Sequence, residues 1–292
     1  MAQSARRHLN LLTVDLEEWF VVQALRGHYT SDDWTRLPST IGKNTQRLLG
    51  LFRHYDVQAT WFVLGWCADN YPDLIRQIAN DGHEIACHSY RHDRVDQLTP
   101  DEFRRDTSRA IEAITKATGV RPVGYRAPSW SINGDIPWAF EILAELGFEY
   151  DSSIFPIKHD IYGMPEGPRQ MFRMKCSQGR FLYEIPASTW RLFGKNMPIA
   201  GGGYLRHTPY WYNRWMVRRL NRRGQPANVY LHPWELDPDP PQIGKLSMSQ
   251  RLRSYGSTNI FALKLQRLLS DFSFTTIAQY LKRQRQQPIG FR

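Results

Sequence analysis

The sequence predicts an α/β fold, with a mostly parallel sheet and helices outside it, the sheet open or closed into a barrel. Three observations carry that prediction. Short apolar runs alternate with helical patterns through the first half of the chain. Clusters of chemistry-bearing residues stand directly after several of those runs, where parallel α/β folds gather their functional groups. The length, 292 residues, suits one α/β barrel or one domain with an appendage.

The elements follow in order. "LNLLTVD" (9–15) reads as a buried strand, and "TIGKNTQRLLGLFRHYD" (40–56) as a helix with apolar residues at 48, 49, 51, 52 and 55. "QATWFVLG" (58–65) is rich in strand formers. "YPDLIRQIANDG" (71–82) is a helix with Pro near its start and Gly at its end. "HEIAC" is the next strand. "TPDEFRRDTSRAIEAITKATG" (99–119) opens on a capping box, Thr99 with Glu102, and ends in Gly. "RPVGYRAP" reads as strand, "DIPWAFEILAELG" (135–147) as helix and "FEYDSS" as strand.

The alternation breaks after residue 155. Residues 156–210 are expected to form an insertion, with two extended segments around "SQG" and long loops that wall a cleft. "IAGGGYLRHTP" (199–209), which carries Tyr204, reads as a flexible loop or, more sharply, as a wall over a binding site. The pattern resumes with a helix at 210–223, a strand "NVYLH" (228–232), a helix near 257–270 and a closing strand and helix, "FSFTTIAQYLKR". No repeat or low-complexity tract interrupts it. A single domain over 1–292 is expected, with the insertion at about 156–210 and a C-terminal extension at about 236–292.

Composition narrows the function classes. The apolar and charged fractions, 41% and 23%, are those of an ordinary globular protein. The formal charge of +10 favours anionic partners: acidic glycans, phospholipid headgroups or lipid-linked sugar phosphates. Much of the excess lies in "RWMVRRLNRRG" (214–224) and "YLKRQRQQ" (280–287), read as solvated basic helix faces or, more sharply, as contacts with an anionic membrane surface. No nucleic-acid motif accompanies the charge, so nucleic acid is not expected. Three cysteines are too few and too irregular for a disulfide framework. The first residues hold no apolar run of signal-peptide length and no transmembrane stretch occurs, so the expected location is cytoplasmic, with peripheral membrane contact as an option. Ten Trp, 14 Tyr and 14 Phe fill a core and offer flat faces to ring-shaped ligands such as sugars.

Four clusters fall at strand ends: "VDLEE", "CHSYRH", "YRAP" and "YLHPWE". His88 and His92 are four apart, a spacing that a helix or a tight turn after a strand turns into a pair of metal ligands, although the pair alone is a weak signal. Asp15, Glu17 and Glu18 put three carboxylates beside an apolar strand end, which requires a compensating positive charge. A metal would provide it. The plainer alternative, the start of a solvated loop, suits Glu18 well and Asp15 poorly.

"TVDLEEWF", "HEIACHSYRH", "GYRAPSWS", "YDSSIFP" and "VYLHPWELD", in this order, resemble the polysaccharide deacetylases with a NodB-like domain. The likeness is greatest to the branch associated with bacterial exopolysaccharide gene clusters, whose first motif reads Asp-x-Glu, and it spans roughly residues 10–285. The resemblance implies a NodB-like distorted (β/α) barrel and metal-dependent removal of N-acetyl groups from amino sugars of a polysaccharide or a lipid-linked glycan precursor. Zn²⁺ is the first metal expected, with Co²⁺, Ni²⁺ or Fe²⁺ as alternatives.

It also implies roles. Asp15 matches the general base that takes a proton from the attacking water. Leu16 stands where the usual motif has its second aspartate, so the ligand role passes to Glu17, with Asp15 as the alternative. His88 and His92 match the histidine ligands, Arg126 the arginine that holds the base, and His232 the proton donor to the leaving amine. Asp151 resembles an aspartate that tunes that histidine. Trp130, Trp234 and Tyr204 are expected to face sugar rings. Two rivals remain: an amidohydrolase of small cyclic amides or formyl groups, and a catalytically inactive glycan-binding homologue, the latter supported by Leu16 alone.

Overall fold

A parallel strand covered on both faces has to be apolar almost throughout, and the first apolar run becomes such a strand. In the computed structural model, which describes residues 8–22, 25, 27–160, 162–199, 201–243 and 246–286, β1 (Leu9–Leu16) is buried at every residue after Leu9. Around it lie β2 (Thr60–Val63), β3 (Glu84–Cys87), β4 (Gly124–Tyr125), β5 (Tyr150–Asp151), β6 (Phe172–Lys175), β7 (Phe181–Glu184), β8 (Thr189–Leu192), β9 (Lys195–Pro198), β10 (Asn228–Leu231) and β11 (Ser273–Thr275). The main sheet runs β10-β1-β2-β3-β4-β5-β7-β6, with β11 on the start of β1. Every neighbouring pair is parallel except β6 and β7.

The helices are α1 (Ile41–His54), α2 (Gly65–Asn70), α3 (Pro72–Asn80), α4 (Pro100–Thr118), α5 (Trp138–Glu145), α6 (Gly202–His207), α7 (Tyr210–Arg222), α8 (Met248–Tyr255), α9 (Thr258–Asp271) and α10 (Ile277–Gln286). The predicted α/β class is thus found. α4 keeps the capping box read from the sequence, with Thr99 and Glu102 bonded reciprocally and Gly119 in the left-handed region at φ 76°. Among the described residues no helix is long and apolar enough to cross a membrane.

No strand pairing joins β10 to β7 among the described residues. The Asn228 side-chain amide bridges the gap instead, donating to Ser152 Oγ (3.2 Å), Ile185 O (3.3 Å) and Pro186 O (3.3 Å).

Four local expectations change. β7 pairs with β5, so the stretch expected as an insertion contributes a strand to the main sheet; only β8 and β9 form a separate hairpin. The expected C-terminal extension contributes β11, which pairs with β1. The glycine run read as a flexible loop starts α6: Gly201 and Gly202 have φ 129° and 46°, and a Cβ on Gly201 would lie 2.1 Å from the Tyr230 ring. Glu18, read as the start of a solvated loop, is buried. Its carboxylate accepts from the backbone N–H groups of Thr40 (3.1 Å) and Ile41 (3.4 Å), where the positive end of α1 favours an anion.

His83 gives the fold an acid limit. It is packed against Phe52 and Trp61, and its Nδ1 accepts the Ala59 N–H at 3.2 Å. Burial pulls its pKa from 6.5 down to about 4. The folded state therefore resists a proton that the unfolded chain takes up below 6.5, so stability is full above that pH and is lost as pH falls toward 4. The loss is expected to be roughly 3 kcal/mol by pH 4. Urea unfolding across this window, compared with His83→Gln, checks it: the variant should lose less stability on acidification, and equal losses would remove His83 from the account.

Candidate active site

Side chains of a strand alternate between faces, so residues two apart share one. At the end of β1, Asp15 and Glu17 share a face while Leu16, fully buried, turns the other way into the core. This is why an apolar residue between the two carboxylates does not interrupt the site.

The histidines come from the loop after β3. His88 follows the strand directly; Ser89 and His92 then take φ 66° and 59°, and Ser89 Oγ accepts the His92 N–H at 3.1 Å. Asp106 of α4 fastens the loop by accepting from Tyr90 N (2.8 Å) and Arg91 N (3.3 Å). The turn brings the two imidazoles to 5.3 Å between ring centres. One ligand atom each from Glu17, His88 and His92 lie within 4.8 Å of one another, and all three residues are buried.

The donor chemistry suits a divalent cation. His88 Nδ1 sits 2.8 Å from Arg126 O, which accepts its proton and leaves Nε2 as the lone-pair atom. Burial lowers the His88 pKa to about 4, so the ring is neutral. Glu17 Oε2 lies 2.9 Å from His92 Nε2 but accepts no hydrogen bond although it is buried. Burial would raise the Glu17 pKa, but His92, then His232 and His88, hold it at about 2. An ionised carboxylate and two imidazoles thus converge in a dry place, the ligand types of catalytic zinc sites.

Arg126, after β4, is fully buried, and its Nη1 donates to Asp15 Oδ1 at 2.6 Å and to Thr13 Oγ1 at 3.0 Å. Nε and Nη2 are occupied by Ser152 O (3.2 Å) and Ser152 Oγ (3.1 Å). The guanidinium lies over the rings of Phe62 (4.0 Å) and Trp130 (4.7 Å). With Asp15 committed to Arg126, Glu17 is the carboxylate grouped with the two histidines.

His232, after β10, turns Nε2 toward Glu17 Oε1 (3.7 Å) and Asp15 Oδ2 (3.9 Å). Its Nδ1 is 3.2 Å from Glu235 Oε2, and Arg206 Nε is 2.8 Å from the other Glu235 oxygen. Burial alone would lower the His232 pKa; the Glu235 hydrogen bond and charge, with Glu17 and Asp15 behind, raise it to about 9.

Asp151 is not at that histidine, which corrects its expected role. Asp151 Oδ1 accepts from Ser153 Oγ (2.6 Å), and Ser153 Oγ in turn accepts the Ala127 N–H (2.7 Å), so Asp151 braces the segment carrying Arg126. Burial raises the carboxyls of both Asp151 and its neighbour Glu184. The carboxylate that tunes His232 is Glu235, absent from the sequence reading although it stands three residues on within "HPWE".

A cavity of about 520 Å³ opens on these groups, walled by Trp130, Tyr162, Tyr204, Tyr230 and Leu252. Trp130 and Tyr204, expected to face sugar rings, both line this cavity. The Tyr204 and Tyr162 hydroxyls meet at 3.3 Å. Trp234 lines the cavity but is partly engaged: it stacks on His232 at 5.1 Å and donates from Nε1 to Glu17 Oε1 at 3.3 Å.

Paired imidazoles, a carboxylate and an arginine-held aspartate thus meet at the strand ends of a parallel sheet, and the sequence comparisons add to that picture. Residues 29–150 match the model of a family described as polysaccharide deacetylase. Residues 152–282 match a family described as a domain of unknown function (DUF3473). A peptidoglycan deacetylase of Helicobacter pylori is 33% identical over 108 residues, which cover 37% of this chain and 36% of that protein. A peptidoglycan-N-acetylglucosamine deacetylase of Bacillus cereus is 32% identical over 98 residues, covering 33% and 36%. The match thus spans about a third of the length of these curated relatives. The crystal structure of a suspected polysaccharide deacetylase from Mycobacterium smegmatis shares the fold with a TM-score of 0.61 at 23% identity, over 100% of this chain and 96% of that one.

Proposed function

We propose that the protein removes the acetyl group from N-acetylated amino sugars of a glycan, with Glu17, His88 and His92 holding a divalent metal. The convergence of that triad with Asp15 and His232 in one cavity carries the reading. Zn²⁺ is the first candidate; Co²⁺, Ni²⁺ and Fe²⁺ suit the same donors. The bound ion would supply Lewis-acid charge at the amide carbonyl and favour deprotonation of water.

This chain's own groups perform the proton transfers. Arg126 orients Asp15 through a charged hydrogen bond, and Asp15 takes a proton from the attacking water. His232, protonated through its contact with Glu235, gives a proton to the nitrogen as the C–N bond breaks. Acetate and a free amine result. The aromatic walls exclude water and give sugar rings a surface. A lipid-linked precursor of an exopolysaccharide is the substrate form we favour, in keeping with the basic charge of the chain and the resemblance of its motifs.

Elemental analysis joined to acetate release from chito-oligosaccharides tests the reading. About one metal equivalent and acetate release in the wild type, both lost in His88→Ala/His92→Ala, are expected. Equal metal in the two proteins, or turnover of small cyclic amides only, would refute it. Glu235→Gln is a finer test. Removing that charge lowers the His232 pKa, so the alkaline limb of the rate profile should move to lower pH by about one unit, with the rate at its optimum falling about tenfold. A profile unmoved on the alkaline side would separate Glu235 from proton donation.

A further inference from the structure

Between Ile185 and Trp234 the chain has eight Lys or Arg residues and no Asp or Glu, so this stretch carries a net charge of +8 against +10 for the whole chain. Two of the eight are committed to carboxylates elsewhere, Arg206 at Glu235 and Arg214 at Asp271. The other six, Arg191, Lys195, Arg218, Arg219, Arg222 and Arg223, are exposed.

The same stretch exposes large apolar side chains. The β8–β9 hairpin stands apart from the main sheet, and at its turn Phe193 is 94% exposed, with φ 48° followed by Gly194 at 78°. Leu192 and Met197 flank the turn and are exposed as well. On α7, Trp211 and Trp215 are 69% and 42% exposed, and Arg218 and Arg222 continue their stripe at helical spacing. Arginines join hairpin and helix into one surface: the Arg219 guanidinium lies 5.7 Å from the Trp190 ring and 5.2 Å from the Trp215 ring, and that of Arg223 lies 4.3 Å from Trp190. In the hairpin ladder Trp190 faces Met197.

We propose that the β8–β9 hairpin and the outer face of α7 dock on an anionic phospholipid surface, with Phe193 entering the acyl boundary and the tryptophans at headgroup depth. The charged residues of the hairpin and of α7 are all basic, which complements lipid phosphates, and tryptophans partition to that interface. A protruding turn tipped by phenylalanine fits a fluid layer, into which it can insert. The surface adjoins the catalytic cleft: Asn196 of β9 donates to Pro156 O (2.8 Å) and Pro165 O (3.4 Å), on the segment that carries Tyr162, and α6 with Tyr204 joins the hairpin to α7. None of the docking residues lines the cavity, so this inference stands or falls separately from the deacetylase reading.

Flotation of the purified chain with vesicles tests it, using phosphatidylcholine alone and an equal mixture of phosphatidylcholine and phosphatidylglycerol. Binding to the mixed vesicles, weakened by salt, is expected. Arg218→Gln/Arg222→Gln should weaken it by about fivefold for each arginine removed. Phe193→Ser/Trp211→Ser should weaken it by about tenfold or more, with the melting temperature of both variants near that of the wild type. Absence of flotation overturns the proposal. So does binding that needs the arginines but not Phe193 and Trp211, which would mark a patch for soluble polyanions. Loss of self-association by light scattering in the serine variant would assign the surface to a second copy of the chain, and also overturns it.

Discussion

Asp15→Asn is expected to lower kcat/KM for an N-acetylated oligosaccharide about a thousandfold while leaving the bound metal close to the wild-type level. The two halves of this outcome come from different contacts. Asp15 is bonded to Arg126 at 2.6 Å and is not part of the Glu17, His88 and His92 group, so the amide variant keeps the metal donors. What it loses is the capacity to accept a proton. Glu17→Gln should do the reverse, releasing metal and activity together. Metal content measured beside single-turnover rates decides the matter; loss of metal in Asp15→Asn would return Asp15 to the ligand set and leave the base unassigned.

Arg126→Met should be the most damaging single substitution for both stability and activity. The side chain is fully buried and fills its donors with Asp15, Thr13 and Ser152. Methionine fills much of the volume but leaves the Asp15 carboxylate buried without its cation, a change that costs about 3 to 5 kcal/mol. Asp15 would also lose the contact that orients it in the site. Chemical unfolding of Arg126→Met and of Arg126→Met/Asp15→Asn separates the two effects. Recovery of stability in the double variant, without recovery of activity, is the expected pattern. A double variant as unstable as the single one would show that Arg126 acts through packing alone.

The sequence made the strand-end residues legible because each follows its own apolar run. Asp15, Glu17, His88, Arg126 and His232 could be placed on one rim from the βα alternation alone. Glu235 was equally open to reading: three residues after His232, it caps the turn that histidine begins. Arg206 was not. It reaches Glu235 only because α6 packs against Tyr230, a consequence of glycines whose positive φ values no spacing rule reveals. Tyr162 is likewise brought to Tyr204 by the folding of an irregular segment. Asp151 misled because a motif gives order along the chain and not the direction of a side chain. β7 was legible as extended, but its partner was not, since pairing with β5 joins segments about thirty residues apart.

The junction between the two matched families falls at residue 151, within β5 of the main sheet, with β1 to β4 before it and β7 and β10 beyond. Glu17, His88 and His92 precede that junction, whereas His232, Glu235, Tyr162 and Tyr204 follow it. The candidate site is therefore drawn from both matched segments, which share one sheet. A graft of the later segment has to preserve the pairing of β10 with β1, because that register sets Asp15 against His232.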